Sequence, residues 1–392
     1  MLIHNEHTRI FSQSDGLGPD DKLASLMAEL GVSPIINASA PKSNLSGPAL
    51  SHDIASIVGE AQKWCFDLAD LNRRAGAYCA AQLGAGSGAL TGGTSAGILL
   101  ALEVAKKMNK VDSTPEVIIR RGDFGHYAYL FQQAGCVLHE VGNIVGCSSE
   151  ELTDAFNERT VALAVVISPR LPPADLSLAE LVKLADDHNI PVIADCAAIF
   201  PSRERLSEIL GTGCHAVLLS GGKVFGGPQA SGLLLGDQSF VEFAHLMSFP
   251  SDGPLRAVKL DRGQMLGLAA AIVKFLAKPS TTFQAEYRQR CEAGVSELGQ
   301  LRGAAVSILP EILIEKIPMI AVEDTSGLGH EFFKTLTNRL LNGPAPIGVH
   351  YIRARRIICL SPIGLTDQQL ASVCRLFRKA WMELADDVAE RN

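Results

Sequence analysis

Short apolar runs, rich in β-branched residues, alternate with longer helical patterns over most of the chain. Runs that are continuously apolar are typical of strands buried on both faces of a parallel sheet. The predicted strands are Val117–Arg120, Cys136–Val141, Ala162–Ile167, Pro191–Asp195, His215–Ser220 and Gly232–Leu235. The predicted helices between them include Ser149–Asn157, Leu176–His188 and Ser202–Leu210. This alternation predicts an α/β fold, a mostly parallel sheet covered by helices on both faces.

The alternation pauses near residue 280, and a second series of elements follows. It is predicted to comprise a polar helix, a strand, a helix, a strand and a final helix, at Thr282–Arg302, Ile317–Val322, Leu328–Leu341, Arg356–Leu360 and Thr366–Ala389. We therefore predict an N-terminal arm (1–48), a large domain (49–280) and a smaller C-terminal α/β domain (281–392). A cleft between two domains is a common ligand site, and we expect one here.

Composition narrows the class of protein. Of the 392 residues 47% are apolar, yet no run approaches the roughly 18 uninterrupted apolar residues of a membrane span. The N-terminal residues lack the apolar segment of a secretory signal, so we expect no membrane association and a cytoplasmic location. The net charge of −7 disfavours a nucleic-acid partner. Nine cysteines, none at CxxC spacing, predict buried thiols rather than a disulfide framework or a metal site.

A single lysine among glycines is the most informative feature of the chain. Ser220-Gly-Gly-Lys223 follows a predicted buried strand, and a second glycine-rich turn begins at Gly226. Glycines remove side-chain bulk and allow a ligand to approach closely. An amine in an apolar pocket loses proton affinity and becomes nucleophilic. The ordinary alternative for Lys223 is a solvated lysine in a surface turn.

Two nucleotide-binding motifs are approximated but not met. The P-loop pattern fails because Val217 replaces its first glycine and Val224 replaces the Ser or Thr that should follow the lysine. The segment Gly84–Ala89 fits the permissive dinucleotide pattern GxGxxA. That motif requires a preceding strand, whereas residues 73–83 are predicted to be helical, so we predict a helix cap followed by a turn.

Two other segments supply parts of an anion and cofactor site. In Thr91-Gly-Gly-Thr-Ser-Ala-Gly97, small residues lead directly into a predicted helix. A helix N-terminus with free amides and hydroxyls binds a phosphate group, although Thr94 or Ser95 could instead be an ordinary N-cap. Asp195 ends a predicted strand at the edge where ligands bind in α/β folds, or it caps the next helix.

Together these residues are the parts that a pyridoxal 5'-phosphate enzyme needs. Lys223 would hold the cofactor as a Schiff base and, once displaced by substrate, would move the α-proton. Asp195, 28 residues upstream, would keep the pyridine nitrogen protonated, so that the ring accepts electrons from a carbanion. The cofactor phosphate would be bound by Gly93, Thr94 and Ser95, with a hydroxyl from Ser220.

The same segments resemble fold-type I pyridoxal phosphate enzymes of the selenocysteine synthase-like branch. This branch includes L-seryl-tRNA(Sec) selenium transferase and D-glucosaminate-6-phosphate ammonia-lyase-like proteins. The specific part of the resemblance is Ser220–Lys223 combined with Gly227–Gly232. Weaker matches lie at Gly31–Ala38, Thr91–Gly97, Ile193–Ala198 and Arg256–Lys259. The resemblance implies the fold-type I transferase fold, with a mostly parallel sheet of the seven-stranded type and a smaller C-terminal domain.

The resemblance also implies roles for individual residues. Gln229 and Ser231 would lie close to the lysine loop. The site would be shared across the interface of a homodimer or higher homo-oligomer, where Arg256 would reach the neighbour's cofactor phosphate. His126 would stack on the pyridine ring, with an ordinary loop histidine as the alternative.

The carboxylate of an amino-acid substrate is expected to meet an arginine. Three arginines lie in Tyr351–Arg356, which we predict to enter a strand. Alternation would place Arg353 and Arg355 on one face and Arg356 on the other, and we favour Arg356. Lys42 would bind a substrate phosphate or carboxylate, or simply face water.

We therefore expect carbanion formation on a small polar amino acid, followed by loss of a β-hydroxyl to give a 2-oxo acid and ammonia. The alternatives are a racemase, an aldolase and a transferase that forms a carbon–carbon or carbon–sulfur bond. A non-catalytic protein that kept the fold is the remote alternative. We expect no action on tRNA, because only about 30 residues precede the region of resemblance and the chain is acidic.

Overall fold

The computed structural model describes residues 21–39, 41–111, 113–123, 128–169, 171, 175–310 and 314–391. The strands are β1 (Ile36–Asn37), β2 (Ser87–Thr91), β3 (Glu116–Arg120), β4 (Val137–Val141), β5 (Thr160–Val166), β6 (Val192–Asp195), β7 (Ala216–Ser220), β8 (Gly232–Gly236), β9 (Ala304–Pro310), β10 (Pro318–Asp324), β11 (Ile347–Gly348), β12 (His350–Ile352) and β13 (Ile357–Leu360).

Helices separate most of these strands. They are α1 (Asp21–Leu30), α2 (His52–Ala61), α3 (Leu68–Leu83), α4 (Thr94–Asn109), α5 (Ala128–Gln133), α6 (Ser149–Ala155), α7 (Leu178–Asp186), α8 (Arg203–Leu210), α9 (Gln238–Met247), α10 (Arg262–Leu276), α11 (Ser280–Leu298), α12 (Gly329–Leu341) and α13 (Asp367–Arg391). None of the described helices has both the length and the apolarity that crossing a bilayer requires.

The described residues group into two compact units. The larger unit spans 50–280 and also takes in 312–316, a short segment from much later in the chain. The smaller unit contains the residues before 50, residues 281–311 and those from 317 onward. The segment before 50, which the sequence separated as an arm, thus groups with C-terminal residues, because β1 pairs with β11.

A seven-stranded sheet is the centre of the larger unit, in the order β2-β8-β7-β6-β5-β3-β4. Among these described strands only β8 runs against the common direction: its pairs with β2 and β7 are antiparallel, and the other pairs are parallel. The predicted mostly parallel sheet is confirmed. The apolar runs of β7 and β8 are buried throughout, as expected for strands covered on both faces.

One face of this sheet is covered by α4 and α9. The core beneath these helices includes Ile193 of β6 and Leu218 of β7. Side chains alternate along a strand, so Asp195 and Ser220, each two residues further on, belong to the same face as α4. Gly97 allows α4 to approach β7, because a Cβ at this position would lie 3.2 Å from Leu218 Cδ2.

The smaller unit is built on an antiparallel sheet in the order β12-β13-β10-β9. Its core contains Phe333 of α12 and two large rings of α13, Phe377 and Trp381. The Trp381 indole donates a hydrogen bond of 2.9 Å to the Arg302 carbonyl. The sequence did not predict β9, because this edge strand is only partly buried and therefore carries no continuous apolar run.

Candidate active site

Three strand ends meet at one edge of the larger unit's sheet. Gly232, the first residue of β8, pairs with Thr91 at the end of β2 and with Ser220 at the end of β7. On the next strand, Asp195 pairs with Leu218. The register therefore brings together three predicted parts of the site: Thr91–Gly97, here called the phosphate cup, Ser220–Lys223, here called the lysine turn, and Asp195.

The proposed phosphate cup lies between β2 and α4. Gly93 precedes the helix with a φ of +115°, in a region that favours glycine, and no side chain of the described residues caps the helix here. The Thr91 hydroxyl donates a hydrogen bond of 3.0 Å to the Gly93 carbonyl. The Thr94 hydroxyl is buried and lacks a hydrogen-bond partner among the described residues. A buried hydroxyl beside free helix amides fits an anionic ligand.

Close backbone approach shapes the wall of this cup. A Cβ on Gly232 would lie 2.7 Å from Thr91 Oγ1 and 2.8 Å from the Gly93 carbonyl carbon. A Cβ on Gly92 would lie 3.1 Å from Val258 Cγ1. The wall of the cup is thus formed by closely packed main chain and has no room for a side chain at Gly232.

The lysine turn folds back on the segment that precedes β8. The Gly221 amide donates to the Ser231 carbonyl at 2.9 Å, and the Gly226 amide donates to the Lys223 carbonyl at 3.1 Å. A Cβ on Gly222 would lie 2.5 Å from Gln229 Cα. Neither Gly221 nor Gly222 has room for a side chain, so these glycines allow the turn to close and present Lys223.

Lys223 itself is partly buried and stands next to two buried apolar residues, Val224 and Phe225. Ser231 is fully buried, and its hydroxyl donates a 2.5 Å hydrogen bond to the Pro228 carbonyl. Gln229 is exposed. Ser231 therefore stabilises the turn internally, while Gln229 is accessible to a ligand.

Asp195 is partly buried at the end of β6. Its Oδ1 accepts a hydrogen bond of 2.9 Å from the Ala197 amide. Burial raises the pKa of the Asp195 carboxyl, whereas the Ala197 amide and the charge of Lys223 act to lower it. Burial is the largest of these effects, so the pKa of the Asp195 carboxyl is raised overall.

Arg256 lies on the segment that follows α9. Its guanidinium carbon is 4.9 Å from the centre of the Phe249 ring, and its Nε is 3.5 Å from an Asp252 oxygen. Two residues further on, Val258 contacts the cup at Gly92. Arg256 therefore lies on a segment that packs against the proposed phosphate cup.

Lys42 and Arg356 belong to the smaller unit. The Lys42 carbonyl accepts hydrogen bonds from the amides of Leu45 and Gly47 at 3.1 and 3.0 Å. The prediction that Arg353, Arg355 and Arg356 alternate along a strand is wrong. Residues 353–355 form a 3₁₀ turn, and Arg356 follows with a φ of +53°, so that the strand begins only at the next residue.

The remaining predicted residue, His126, lies outside the described residues.

Among the described residues there is no group of three or more His, Cys, Asp or Glu side chains that could hold a metal ion.

Asn72 and the strand that it holds are not predicted from the sequence. The helix cap expected near Gly84 is present, with a φ of +80°, and residues 84–86 form the predicted turn, but strand β2 begins already at Ser87. The Asn72 side chain donates to the Leu90 carbonyl at 3.2 Å and accepts from the Leu90 amide at 2.9 Å. The Asn72 side chain thereby binds the backbone of β2 on the side that has no neighbouring strand. Its partner, Leu90, lies three residues before Gly93. A lone polar residue on the buried face of a helix was the available signal.

These residues fit pyridoxal 5'-phosphate. The unpartnered Thr94 hydroxyl and the free start of α4 match a phosphate. Asp195 provides a carboxylate for a ring nitrogen, and Lys223 provides an amine for the aldehyde.

The family model "SelA: L-seryl-tRNA selenium transferase" matches residues 43–284. The 5'-C-glycyluridine monooxygenase-decarboxylase of Streptomyces sp is 26% identical over 291 residues, which is 70% of this chain and 71% of that protein. The L-seryl-tRNA(Sec) selenium transferase of Escherichia coli O17:K52:H18 is 27% identical over 274 residues, 64% of this chain. The match spans only 50% of that transferase.

Solved structures share the fold over nearly the whole chain. D-Glucosaminate-6-phosphate ammonia-lyase superimposes with a TM-score of 0.75 at 23% identity, covering 93% of this chain and 99% of that one. Lactobacillus brevis CGMCC 1306 glutamate decarboxylase superimposes with a TM-score of 0.60 at 14% identity, covering 96% and 97%. The predicted fold-type I architecture is thereby confirmed.

Proposed function

The chain belongs to the L-seryl-tRNA selenium transferase (SelA) family, and we propose that this member is a lyase that removes a β-substituent and ammonia from a small polar amino acid. The chain is a pyridoxal 5'-phosphate-dependent enzyme. One observation carries the proposal. Gly232 pairs with both Thr91 and Ser220, so the segment that would bind the phosphate and the segment that carries Lys223 lie at the same edge of the sheet.

Each of these groups has a separate task in the proposed reaction. When bound, the cofactor supplies an electron sink that stabilises negative charge at the substrate α-carbon. Thr94, Ser95 and the Gly93 segment would hold its phosphate, with Ser220 adding a hydroxyl. Asp195 would hold a proton at its ring nitrogen. Lys223 would first bind the cofactor covalently and then, as a free amine, take the α-proton at its Nζ.

The choice of elimination rests on the chemistry of the substrate carbanion. A hydroxyl on the β-carbon leaves when negative charge develops at the α-carbon. Hydrolysis of the resulting enamine then gives a 2-oxo acid and ammonia. The net charge of −7 favours a small substrate over a polyanionic tRNA. Arg356 and Lys42 remain our proposed ligands for the substrate's acidic groups, with Asp324 competing for Arg356 at 3.4 Å.

We further propose a cytoplasmic homodimer with shared active sites. None of the nine cysteines, which all lie in the described part of the chain, forms a disulfide, and this suits a reducing compartment. The larger unit also exposes Trp64, Phe66 and Tyr78 near α2 and α3, and exposed aromatic side chains favour a subunit interface. If Arg256 serves the neighbour's cofactor, mixing inactive Lys223→Ala and Arg256→Ala proteins should restore activity in heterodimers. If the mixture remains inactive, Arg256 is not shared in this way.

The first experiment identifies cofactor and attachment site. Absorption spectra of wild type, Lys223→Ala and Lys259→Ala would be recorded with pyridoxal phosphate before and after borohydride. Lys259 is exposed and serves as the control lysine. We expect reduction to fix the cofactor on wild type and Lys259→Ala only, with mass spectrometry locating it on the Lys223 peptide. A cofactor fixed on another lysine would remove Lys223 from its role.

The second experiment identifies the reaction. Small polar amino acids would be screened for 2-oxo acid and ammonia, with stereoinversion and carbon dioxide followed in parallel. Ammonia with a 2-oxo acid supports the lyase, and inversion alone indicates a racemase. The relative named a monooxygenase-decarboxylase favours a second candidate, loss of carbon dioxide with oxygen uptake. If none of these products forms while the cofactor is bound, an aldolase or bond-forming transferase should be tested.

A further inference from the structure

A short segment from beyond residue 300 belongs to the same unit as the cofactor residues. It lies between β9 and β10, and its described residues are Ile314, Glu315 and Lys316. Ile314 is fully buried. A loop between two strands of the smaller unit thus contributes structure to the unit that carries Lys223 and Asp195.

Glu315 binds the loop that follows Asp195. Its amide donates to the Ala198 carbonyl at 2.9 Å, and its Oε2 accepts from the Phe200 amide at 3.3 Å. The carboxylate also binds Arg205 of α8 twice, at 3.0 Å from Nη2 and 3.2 Å from Nε. The Glu315 backbone therefore holds Ala198, while the Glu315 carboxylate connects Phe200 to Arg205 in the helix that follows loop 196–202.

The beginning of this loop orients the Asp195 carboxylate. The Ala197 amide donates to Asp195 Oδ1 at 2.9 Å, and the Cys196 amide donates to the Leu218 carbonyl of β7 at 2.9 Å. The next residue, Ala198, is bound by the Glu315 amide, and Phe200, three residues after Ala197, is bound by the Glu315 carboxylate. Loss of the Glu315 carboxylate would release Phe200 and loosen this short loop, and with it the Ala197 amide that fixes the direction of the Asp195 carboxylate.

We propose that Glu315 is a positioning residue for Asp195. Its carboxylate fastens loop 196–202, and the loop in turn holds the Ala197 amide. That amide keeps the Asp195 carboxylate in the direction needed to bind the cofactor ring. The inference rests on the proposed role of Asp195 in the same site. It makes cofactor binding dependent on a residue more than 100 positions away in the chain.

Glu208 provides a matched control. It also binds Arg205, at 3.1 Å, but it is an exposed residue of α8 that contacts the helix rather than the Ala198–Phe200 backbone. Glu208→Ala removes a carboxylate from the same arginine without releasing the loop. Glu315→Gln keeps an acceptor for the Phe200 amide, and so serves as the conservative variant.

The experiment measures the dissociation constant of pyridoxal phosphate from each apoprotein by absorbance titration, together with thermal unfolding. The pH midpoint of the bound cofactor's visible absorption would be compared with that of Asp195→Asn. We expect Glu315→Ala to weaken binding by about tenfold or more. Its pH midpoint should move in the same direction as in Asp195→Asn. Glu208→Ala should bind within about twofold of wild type, and Glu315→Gln should recover most of the affinity.

Equal affinities for Glu315→Ala and Glu208→Ala would overturn the inference. So would a lower unfolding temperature of Glu315→Ala without a change in the pH midpoint, because that result indicates a structural role only. Neither outcome affects the proposed function, which is read from the products of the wild type. A wild type that binds no cofactor would overturn both.

Discussion

Gly232 lies so close to Thr91 that a Cβ on the glycine would stand 2.7 Å from the threonine hydroxyl oxygen. Gly232→Ala should therefore push β8 away from the cup, lower the stability by about 1–3 kcal/mol and weaken cofactor binding by about tenfold. Urea denaturation of the apoprotein and cofactor titration measure the two effects. Gly86→Ala is the control, because no atom lies within 4 Å of its Cβ position. Similar results for the two variants would contradict this account of the cup.

Replacing Thr94 should separate folding from cofactor binding. Because its buried hydroxyl has no partner among the described residues, Thr94→Val should leave the apoprotein equally or more stable. The same change should weaken cofactor binding by about tenfold if that hydroxyl binds the phosphate. In Thr91→Val, by contrast, loss of the bond to the Gly93 carbonyl should cost about 1 kcal/mol of stability. Unchanged cofactor affinity in Thr94→Val would exclude the hydroxyl as a phosphate ligand.

Asn72 should stabilise both the sheet edge and the cup. Asn72→Ala leaves the amide and carbonyl of Leu90 without their partner, which we expect to reduce the free energy of unfolding by about 2–4 kcal/mol. Cofactor affinity should also fall, because β2 leads directly into the cup. Asp70→Ala, two residues earlier, removes only an exposed ion pair with Arg74 and should have little effect. Denaturant unfolding of both apoproteins would show whether Asn72→Ala is in fact the more damaging change.

His245 should make the fold sensitive to acid. Burial chiefly, and then the charge of Arg73, lowers the pKa of His245 from 6.5 to about 4. The neutral ring stabilises the folded state above pH 6.5, and this stabilisation is lost as the pH falls toward 4. Between pH 7 and 5 the loss should be about 2 kcal/mol.

His245→Gln, which cannot be protonated in this range, tests the expectation. Urea denaturation at pH 7 and pH 5 should show a smaller decrease in stability for the variant than for wild type. Parallel decreases in the two proteins would assign the acid sensitivity to other groups.

The sequence by itself determined the class of fold and two central candidates for the site. Continuous apolar runs are a local property, and they located the inner strands to within one or two residues, including those that end at Asp195 and Ser220. The glycines beside Lys223 likewise indicated close approach, and the structure shows their Cβ positions blocked by residues 229 and 231.

Only the tertiary structure determined that Ser87–Thr91 forms the edge strand β2 and which distant residues come into contact. Residues Ser87–Thr91 are small and partly polar, so they resemble a turn; they form a strand because β8 on one side and Asn72 on the other bind their backbone. The contacts of Gly232 with Thr91 and of Glu315 with Ala198 join residues more than 100 positions apart. Such pairings depend on how whole elements pack and on the register between strands, which no local pattern of apolar and polar residues encodes.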